Sequence, residues 1–571
     1  MAELLIKNGF VFDPILGIKG DIADVAIKNG RITDKVSDKA EIVDASGKTV
    51  MAGGVDIHTH VAGPKVNVGR EMRPEDKFFR GEYRGGVLKQ GKRMEMGFSV
   101  PSTWKTGYAY ARMGYTFANE AAMPPLFAPH VHEEFRDTPI IDQTAMPVFG
   151  NNWFCFEYIK NDETENNAAY IAWLLSATKG FGIKIVNPGG TEAWAWGKNC
   201  SSIHDEVPHF EITPAEIVTG LIKANEYLGL PHSVHIHGNN MGNPGNYKDT
   251  LDTLRLTSGI NTSNKFGREQ VLHNTHLQFH AYKGSSWSDF ESGAKEVMDY
   301  VNQNKNITVD IGQVTLDETT TMTSDGPFEY HLNQLTHFKW ANLDVEIETG
   351  SGVVPHIYDK DVRTSGIQWA IGLEIALFAK DMMRVYITTD HPNAGPFTRY
   401  PGIIAWLMSE KARQATLDTM KWKDKVIDAS NIASMDRELG LYEIAQMTRA
   451  GPAKALGLLD IYGSLKEGSD GNVAVYNLNA DELPSDPALI EDAFRNTAYT
   501  VKEGVIVVRD GKIVAEPPKH TLWTKVNMPE NAQVMHDIRE KFSTSYSINL
   551  ENYPVFDENI HNARAIELDA N

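Results

Sequence analysis

The stretch "GGVDIHTHVAG", residues 53–63, decides the fold and contains the first candidate site residues. Its apolar residues end in His58 and His60, which are separated by one threonine. A β-strand alternates its faces with a period of two residues, so both imidazoles point the same way, about 7 Å apart along the strand. We therefore expect two ligand groups at the end of a buried strand.

Short apolar runs alternate with amphipathic segments between residues 53 and 455, which predicts right-handed βαβ units. The clearest strands are "GGVDIHTH", "GYTFANEAA", "GIKIVNPGG", "HSVHIHGNN", "NTHLQFHAY" and "RVYITTDHPNAG". The helices 213–229 and 292–305 have Thr213 and Ser292 as candidate N-caps. No glycine-rich dinucleotide fingerprint follows the first strand, so the pattern favours an α/β fold of the closed (β/α)₈ type over a doubly wound sheet.

Both chain ends contain short β-branched runs joined by hairpin turns. Asn29-Gly30 and Asp510-Gly511 are dipeptides that type I′ turns favour, because both central residues need positive φ. We expect residues 1–52 and 456–520 to form one composite β-sandwich domain, residues 53–455 the barrel, and residues 521–571 a C-terminal extension.

The polar residues at the predicted strand ends form an ordered set, and a barrel carries its site at the carboxyl ends of its strands. The candidates are His58, His60, Lys184, His237, His280 and Asp390. His235 competes with His237, and His276 competes with His280, because each pair shares one segment. Lys179 is a minor competitor of Lys184.

Imidazole and carboxylate groups are ligands that zinc accepts, so this set predicts one complete or two partial metal sites. Lys184 stands between isoleucines on a strand that we expect to be buried. Burial favours the neutral amine, and a neutral amine can add CO₂ to become an anionic carbamate that bridges two metals. The alternative for Lys184 is a side chain that extends to water at the barrel mouth.

Composition excludes several classes of protein. The 571 residues carry a formal net charge of −20, which argues against general nucleic-acid binding. Two cysteines, Cys155 and Cys200, are too few for a disulfide framework or an iron–sulfur motif. The N-terminus "MAELLIKNGF" does not have the pattern of a signal peptide, and no apolar run is long enough for a membrane span, so we expect a cytoplasmic protein.

An HxH pair, a lysine on the fourth strand, later histidines and a final aspartate resemble the metal-dependent amidohydrolase superfamily, on its dihydroorotase and hydantoinase branch. The segments "NVGREMRPED", "GFSVPSTWKTGYAYARMGYT", "FGNNWF", "NPGGTEAWAWG" and "TTDHPNAGPFTRYPG" resemble the family of amidohydrolase-like subunits of the formylmethanofuran dehydrogenases of methanogenic archaea. This second resemblance spans nearly the whole chain.

The resemblance implies two zinc ions, with His58 and His60 on one, His237 and His280 on the other, and carboxylated Lys184 as the bridge. Asp390 would be a metal ligand and the acid–base group. The implied reaction condenses formate with methanofuran to N-formylmethanofuran, the first step of CO₂ reduction in methanogenesis. The resemblance also implies partner subunits: a molybdenum- or tungsten-pterin subunit that resembles formate dehydrogenase, and iron–sulfur subunits. This agrees with a chain that carries no redox cofactor of its own.

Substrate contacts are predicted less directly. A basic segment, residues 65–93, includes Arg70, which could bind the acidic tail of methanofuran, and Trp194 and Trp196 could stack on its rings. The segment "TLDETTTMTSDGP" is expected to be a polar loop over the site. Two other functions stay open, a cyclic-amide hydrolase of the hydantoinase or dihydroorotase type and a non-catalytic scaffold subunit.

Overall fold

The computed structural model describes residues 3–77, 97–343, 347–348, 350–560 and 562–570. Within these ranges the α-helices span Pro64–Met72, Thr103–Arg112, Ala128–Asp137, Trp153–Lys160, Thr164–Thr178, Gly190–Ala195, Pro214–Leu228, Tyr247–Arg255, Ala294–Gln303, Gly326–Thr336, Arg363–Phe378, Tyr400–Met408, Glu410–Asp418, Lys423–Asp428, Leu441–Ala445, Gly451–Ala455, Pro487–Arg495 and Ala532–Thr544. None of the described helices is both long enough and apolar enough to cross a bilayer.

The centre of the molecule is a ring of parallel strands, eight in the described part of the chain. In chain order they are β1 (Gly54–Thr59), β2 (Tyr115–Met123), β3 (Asp142–Pro147), β4 (Lys184–Val186), β5 (Val234–His237), β6 (Leu272–Asn274), β7 (Ile307–Asp310) and β8 (Val385–Tyr386). Strands β1 to β3 pair in sequence, and so do strands β4 to β8.

Two single bridges join these sheets into a closed barrel. Val148 pairs with Lys184 between β3 and β4, and Thr59 pairs with His391 just beyond β8. The N–H of His60 also donates to the carbonyl of His391 at 2.7 Å. The predicted (β/α)₈ architecture is therefore present, and its first and last strands meet at the carboxyl end.

Strands from both chain ends join in one sheet, nine-stranded within the described ranges. They span Glu3–Asp13, Ile18–Lys28, Arg31–Thr33, Glu41–Asp44, Thr49–Ala52, Val473–Tyr476, Tyr499–Lys502, Val505–Arg509 and Lys512–Ile513. Asn29, Gly30, Asp510 and Gly511 all have positive φ, as the hairpin dipeptides predict. The sandwich arrangement and the domain boundaries stay predictions.

The helix beginning after Thr213 agrees with the sequence, because Thr213 and Glu216 form a capping box and Gly229 ends the helix in the left-handed region. The other N-cap prediction was wrong. Ser292 belongs to a short strand, Glu291–Ser292, that pairs with Tyr282–Lys283, and Gly293 caps the helix Ala294–Gln303.

Two further groups of strands complete the fold. Glu318–Thr323, Ala341–Leu343 and Ser351–Ile357 form an antiparallel sheet. Thr521–Asn527 and Ala563–Asp569 pair with each other in parallel, and Thr521 also pairs with Gln143 at the amino-terminal end of β3. The N–H of Thr524 donates to the carbonyl of Gly180, so the C-terminal segment fastens the chain that leads into β4.

A buried ion pair connects the composite sheet to the barrel. Lys502 Nζ lies 2.6 Å from Asp142 Oδ2, and both side chains have no exposed surface. Glu503 accepts a second bond from the same ammonium, and the Tyr462 hydroxyl donates to Asp142. The ammonium therefore compensates the carboxylates that meet at this joint.

We expect Lys502→Met to reduce the free energy of unfolding by about 3–5 kcal/mol, because it leaves the Asp142 carboxylate buried without its cation. Adding Asp142→Asn should recover much of that loss, since the amide carries no charge. Urea unfolding of the two single variants and the double variant measures the coupling. Strictly additive losses would contradict a direct interaction across the joint.

Candidate metal centre and active site

Three side chains converge at the carboxyl end of the barrel: His58 in β1, His60 just after β1, and Asp390 beyond β8. The prediction that Asp390 ends the last strand was wrong, because β8 stops at Tyr386 and Asp390 lies in the turn four residues later. His58 Nε2 and His60 Nε2 lie 2.9 Å and 3.2 Å from the same oxygen, Oδ1 of Asp390. All three side chains are buried. Neither His58 Nε2 nor Asp390 Oδ1 has an aligned hydrogen bond among the described residues. Close approach of these atoms without an aligned hydrogen bond is the arrangement expected of atoms that bind one metal ion.

Lys184 begins β4, beside this group, and is 1% exposed. Its Nζ has no hydrogen-bond partner within the described ranges. Burial, with a contribution from the charge of Lys65, lowers the pKa of Lys184 to about 7 although Asp390 and Asp310 oppose the shift. The prediction that Lys184 is buried holds, and the alternative of an amine that reaches water does not.

The later histidines occupy the other side of the site. His237 ends β5, as expected, and its Nε2 lies 2.9 Å from Asp325 Oδ2. His276 follows β6, its ring centroid is 4.9 Å from that of His237 and 5.4 Å from that of His58, and its Nε2 is 3.9 Å from Asp390 Oδ2.

His280 does not end a strand, so that prediction was wrong. The strand β6 stops at Asn274, and Leu277–His280 is a 3₁₀ helix that carries His280 behind His276, with their rings stacked 5.3 Å apart. Burial lowers the pKa of both histidines well below the ordinary value, so both rings are neutral and can offer a lone pair. The nearer of the two to Asp390 is His276.

His235, the competitor of His237, points to the opposite end of the site. Its Nε2 lies 2.9 Å from His58 Nδ1, the nitrogen of His58 that faces away from Asp390. His58, His235 and Asp310 form a second group whose possible ligand atoms lie within 4.8 Å of one another. In "HSVHIHGNN", His235 therefore contacts His58, whereas His237 borders the cavity described below.

Two residues that sequence reasoning missed hold His60. Its Nδ1 lies 2.9 Å from Glu120 Oε1, and Glu120 also accepts from the N–H groups of Val61 and Ala62. Lys65 Nζ lies 3.4 Å from the same carboxylate. Burial opposes ionisation, but Lys65 and His60 lower the pKa of Glu120 to about 2. A lone glutamate in the apolar strand β2 was the available sequence signal.

The charge of Asp390 is also stabilised locally. Burial raises its pKa, but His276 and His58 outweigh burial and hold the pKa of Asp390 well below the ordinary value. The amide of Asn393 donates to Asp390 Oδ2 at 2.8 Å, which leaves Oδ1 directed at His58 and His60. Asp390 has φ 47°, a left-handed conformation that aspartate adopts more readily than most residues.

A small cavity opens beside these groups. The residues that line it are His237, Met241, Phe279, Thr321, Thr323, Phe328, Tyr358, Asp390 and Asn393. The segment predicted as a polar loop supplies Thr321 and Thr323 from the strand Glu318–Thr323, so the loop prediction was wrong. Asp325, at the end of that segment, caps the helix Gly326–Thr336 and binds His237.

The three residues predicted to bind substrate lie outside this lining. Arg70 donates to Glu134 at 2.8 Å, to Asn67 at 2.9 Å and to the carbonyl of Pro101. The Trp194 ring packs against Tyr330, and Trp196 is 52% exposed beside His209. Their substrate roles stay predictions. Residues 78–96 of the basic segment lie outside the described residues.

The donor set fits divalent metal ions. Neutral imidazoles and a carboxylate are suitable zinc ligands, and the Lys184 amine is a buried polar group without a compensating bond in the described structure. A carbamate on that amine would supply the negative charge that a two-metal site needs. The fit rests on His58, His60 and Asp390, whose ligand atoms lie within 4.8 Å of one another.

Comparisons with known proteins agree with this geometry. A family model described as the amidohydrolase family matches residues 41–514. Protein FwdA of Methanocaldococcus jannaschii is 53% identical over 100% of this chain and 99% of its own length. One subunit of the formyltransferase/hydrolase complex Fhc of Methylorubrum extorquens is 33% identical over 89% of each chain.

A chain of the crystal structure of the M. extorquens complex FhcABCD, determined with methylofuran, superposes on this chain with a TM-score of 0.87 and 30% identity, covering 100% of both chains. The family match, the two relatives and this superposition lead to one conclusion. The chain belongs to the amidohydrolase family and is a homologue of FwdA and of the matching Fhc subunit.

Proposed function

We propose that this chain makes and hydrolyses the N-formyl bond of N-formylmethanofuran, as the amidohydrolase subunit of a formylmethanofuran dehydrogenase. The convergence of His58 and His60 on one oxygen of Asp390 carries the proposal, because such a group at the carboxyl end of a barrel would bind metal and accept a proton. The likeness to proteins of a formyltransferase/hydrolase complex supports the choice of a formyl group.

Two zinc ions would occupy the centre, one held by His58 and His60 and the other by His237 and a second histidine. For that second histidine we favour His276 over His280, because His276 Nε2 lies 3.9 Å from Asp390 Oδ2. Carboxylated Lys184 would bridge the ions. When bound, such ions polarise a carbonyl group and lower the pKa of a coordinated water.

Asp390 would move the proton. In hydrolysis its Oδ1 accepts the proton of the attacking water and then delivers it to the nitrogen of the leaving amine; in synthesis the transfers run in reverse. Asn393 anchors the other oxygen, so the carboxylate keeps one orientation during both transfers. Phe279, Phe328 and Tyr358 border the cavity and would limit the entry of bulk water.

Formation of an amide from formate and an amine is unfavourable in water at ordinary concentrations, so synthesis needs a local supply of formate. A partner subunit that resembles formate dehydrogenase, with a molybdenum- or tungsten-pterin and iron–sulfur subunits, would provide it. We place the reaction in the cytoplasm, as the first step of CO₂ reduction in methanogenesis.

The direct test of the function measures formate release from N-formylmethanofuran by the full-length protein with any copurifying subunits. Asp390→Asn should reduce this rate by about 10²–10⁴-fold while much of the metal remains, because an amide can ligate but cannot accept the proton. Near-normal turnover would remove Asp390 from proton transfer. Ring opening of hydantoin or dihydroorotate by the wild type without formate release would favour a cyclic-amide hydrolase.

Lys184 should form its carbamate only in the neutral amine form. With a pKa of about 7, metal-free protein in ¹³C-bicarbonate should show a carbamate carbon signal that is weak at pH 6 and strong at pH 8. Lys184→Ala should lose this signal and the metals, and acetate should restore part of the metal content. Lys179→Ala is the control, and loss of the signal in that variant would reassign the carbamate.

Metal binding should distinguish the two stacked histidines. We expect His276→Ala to weaken metal binding by more than about 100-fold, because it removes a ligand, and His280→Ala to weaken it by less than about tenfold. Chelator competition with each purified variant measures the difference. The reverse order would return the ligand role to His280.

A further inference from the structure

Three buried histidines form a hydrogen-bonded line that starts at the candidate metal centre. His58 Nδ1 lies 2.9 Å from His235 Nε2, and His235 Nδ1 lies 3.0 Å from His232 Nε2. The line ends where His232 Nδ1 meets the carbonyl oxygen of Ala455 at 2.6 Å. His235 and His232 have no exposed surface, and neither has a role in the proposed reaction.

The carbonyl at the end of the line determines which nitrogens carry hydrogen. A carbonyl oxygen only accepts, so His232 must carry its proton on Nδ1. A neutral ring has one N–H, so His232 Nε2 accepts from His235 Nδ1. By the same rule His235 Nε2 accepts from His58 Nδ1, and the lone pair of His58 is left on Nε2.

The donor-to-acceptor direction of these hydrogen bonds depends on His232 being neutral. Its ring is fully buried, and the ionisable groups that act on it, His273, Arg268 and Lys184, are all cationic when charged. Its described hydrogen-bond partners are a carbonyl and another imidazole, without a carboxylate. A protonated ring would be an uncompensated buried charge. The charge of Asp310, whose Oδ2 lies 3.6 Å from His58 Nδ1, favours hydrogen on Nδ1, whereas Asp390 Oδ1, 2.9 Å from Nε2, favours the other tautomer. The hydrogen bond to His235 therefore decides between them.

We propose that His235 and His232 are positioning residues that lock His58 in the tautomer with hydrogen on Nδ1, so that Nε2 is always available to bind metal. The proposal rests on the proposed metal centre. Ring orientation and tautomer of a metal-binding histidine depend on the partner of its other nitrogen, and loss of such a partner typically costs 10–100-fold in metal affinity.

Two other uses of the same residues are disfavoured. A proton relay needs a terminal group that exchanges protons, whereas this line ends on a carbonyl that also accepts from Gln270 at 2.9 Å. A cation alternative would place an ion between His58 Nδ1, His235 Nε2 and Asp310. The two imidazole nitrogens instead form an aligned hydrogen bond, which His58 Nε2 and Asp390 Oδ1 lack among the described residues.

The test compares two replacements at His235 in the full-length protein with any copurifying subunits. The amide of His235→Gln can accept from His58 and donate to His232, so we expect zinc affinity within about threefold of wild type. His235→Leu can do neither, and its zinc affinity should fall about 10–100-fold in chelator competition. His132→Leu, which removes an equally buried histidine bonded to the carbonyl of Thr178, is the control for loss of packing.

A second measurement does not depend on metal, and its wild-type part does not depend on the folding of a variant. In ¹⁵N-histidine-labelled, metal-free wild type, the nitrogen shifts of His58 should show Nδ1 protonated and Nε2 bare; in His235→Leu the proton should move to Nε2, which faces Asp390. Protonated Nε2 in the wild type would overturn the proposal, as would equal zinc affinity in wild type and His235→Leu.

A loss of zinc in His235→Gln as large as in His235→Leu would also overturn it and would favour the cation alternative if the loss equals one ion per chain. Wild-type protein that binds no zinc would instead contradict the proposed function, while the nitrogen shifts would still decide the tautomer.

Discussion

The contact between the first and last barrel strands is the constraint on which the site depends. The N–H of His60 donates to the carbonyl of His391, and this backbone bond fixes the distance between the HxH pair and Asp390, although about 330 residues separate them in the chain. Side chains alone could not hold two imidazole rings and a carboxylate so close. The closed barrel therefore holds the ligand residues together in advance, and they need no reorganisation to meet.

Burial gives the same groups their chemical character. Water would keep Lys184 protonated and would weaken the attraction between Asp390 and the histidines, whereas the buried site favours a neutral amine beside a charged carboxylate. Glu120 and Lys65 form a separate charged pair behind His60, so the charge of Glu120 is compensated without using the lysine of the centre. The site thus contains two buried lysines, one paired with a carboxylate and one free to react.

The alternation of strands and helices was enough to predict the barrel, because each βα unit follows local rules that can be read along the chain. The end of β6 was not predictable in this way, since "NTHLQFHAY" is apolar enough for a strand but turns at His276 into a 3₁₀ helix. Residues that act across the fold, such as Asp325 and Glu120, leave only an N-cap or a lone polar letter in the sequence. The pairing of Arg70 with Glu134 depends on tertiary contacts that no spacing reveals.

The strand Thr521–Asn527 has a consequence for the order in which the molecule is completed. Thr521 pairs with Gln143, and the N–H of Thr524 donates to the carbonyl of Gly180, both at the amino-terminal end of the barrel. The strand nevertheless lies more than 370 residues after β3 in the chain. A ribosome releases this segment only after all eight barrel strands have emerged. The amino-terminal end of the barrel between β3 and β4 therefore gains these backbone contacts only after the whole barrel has been translated.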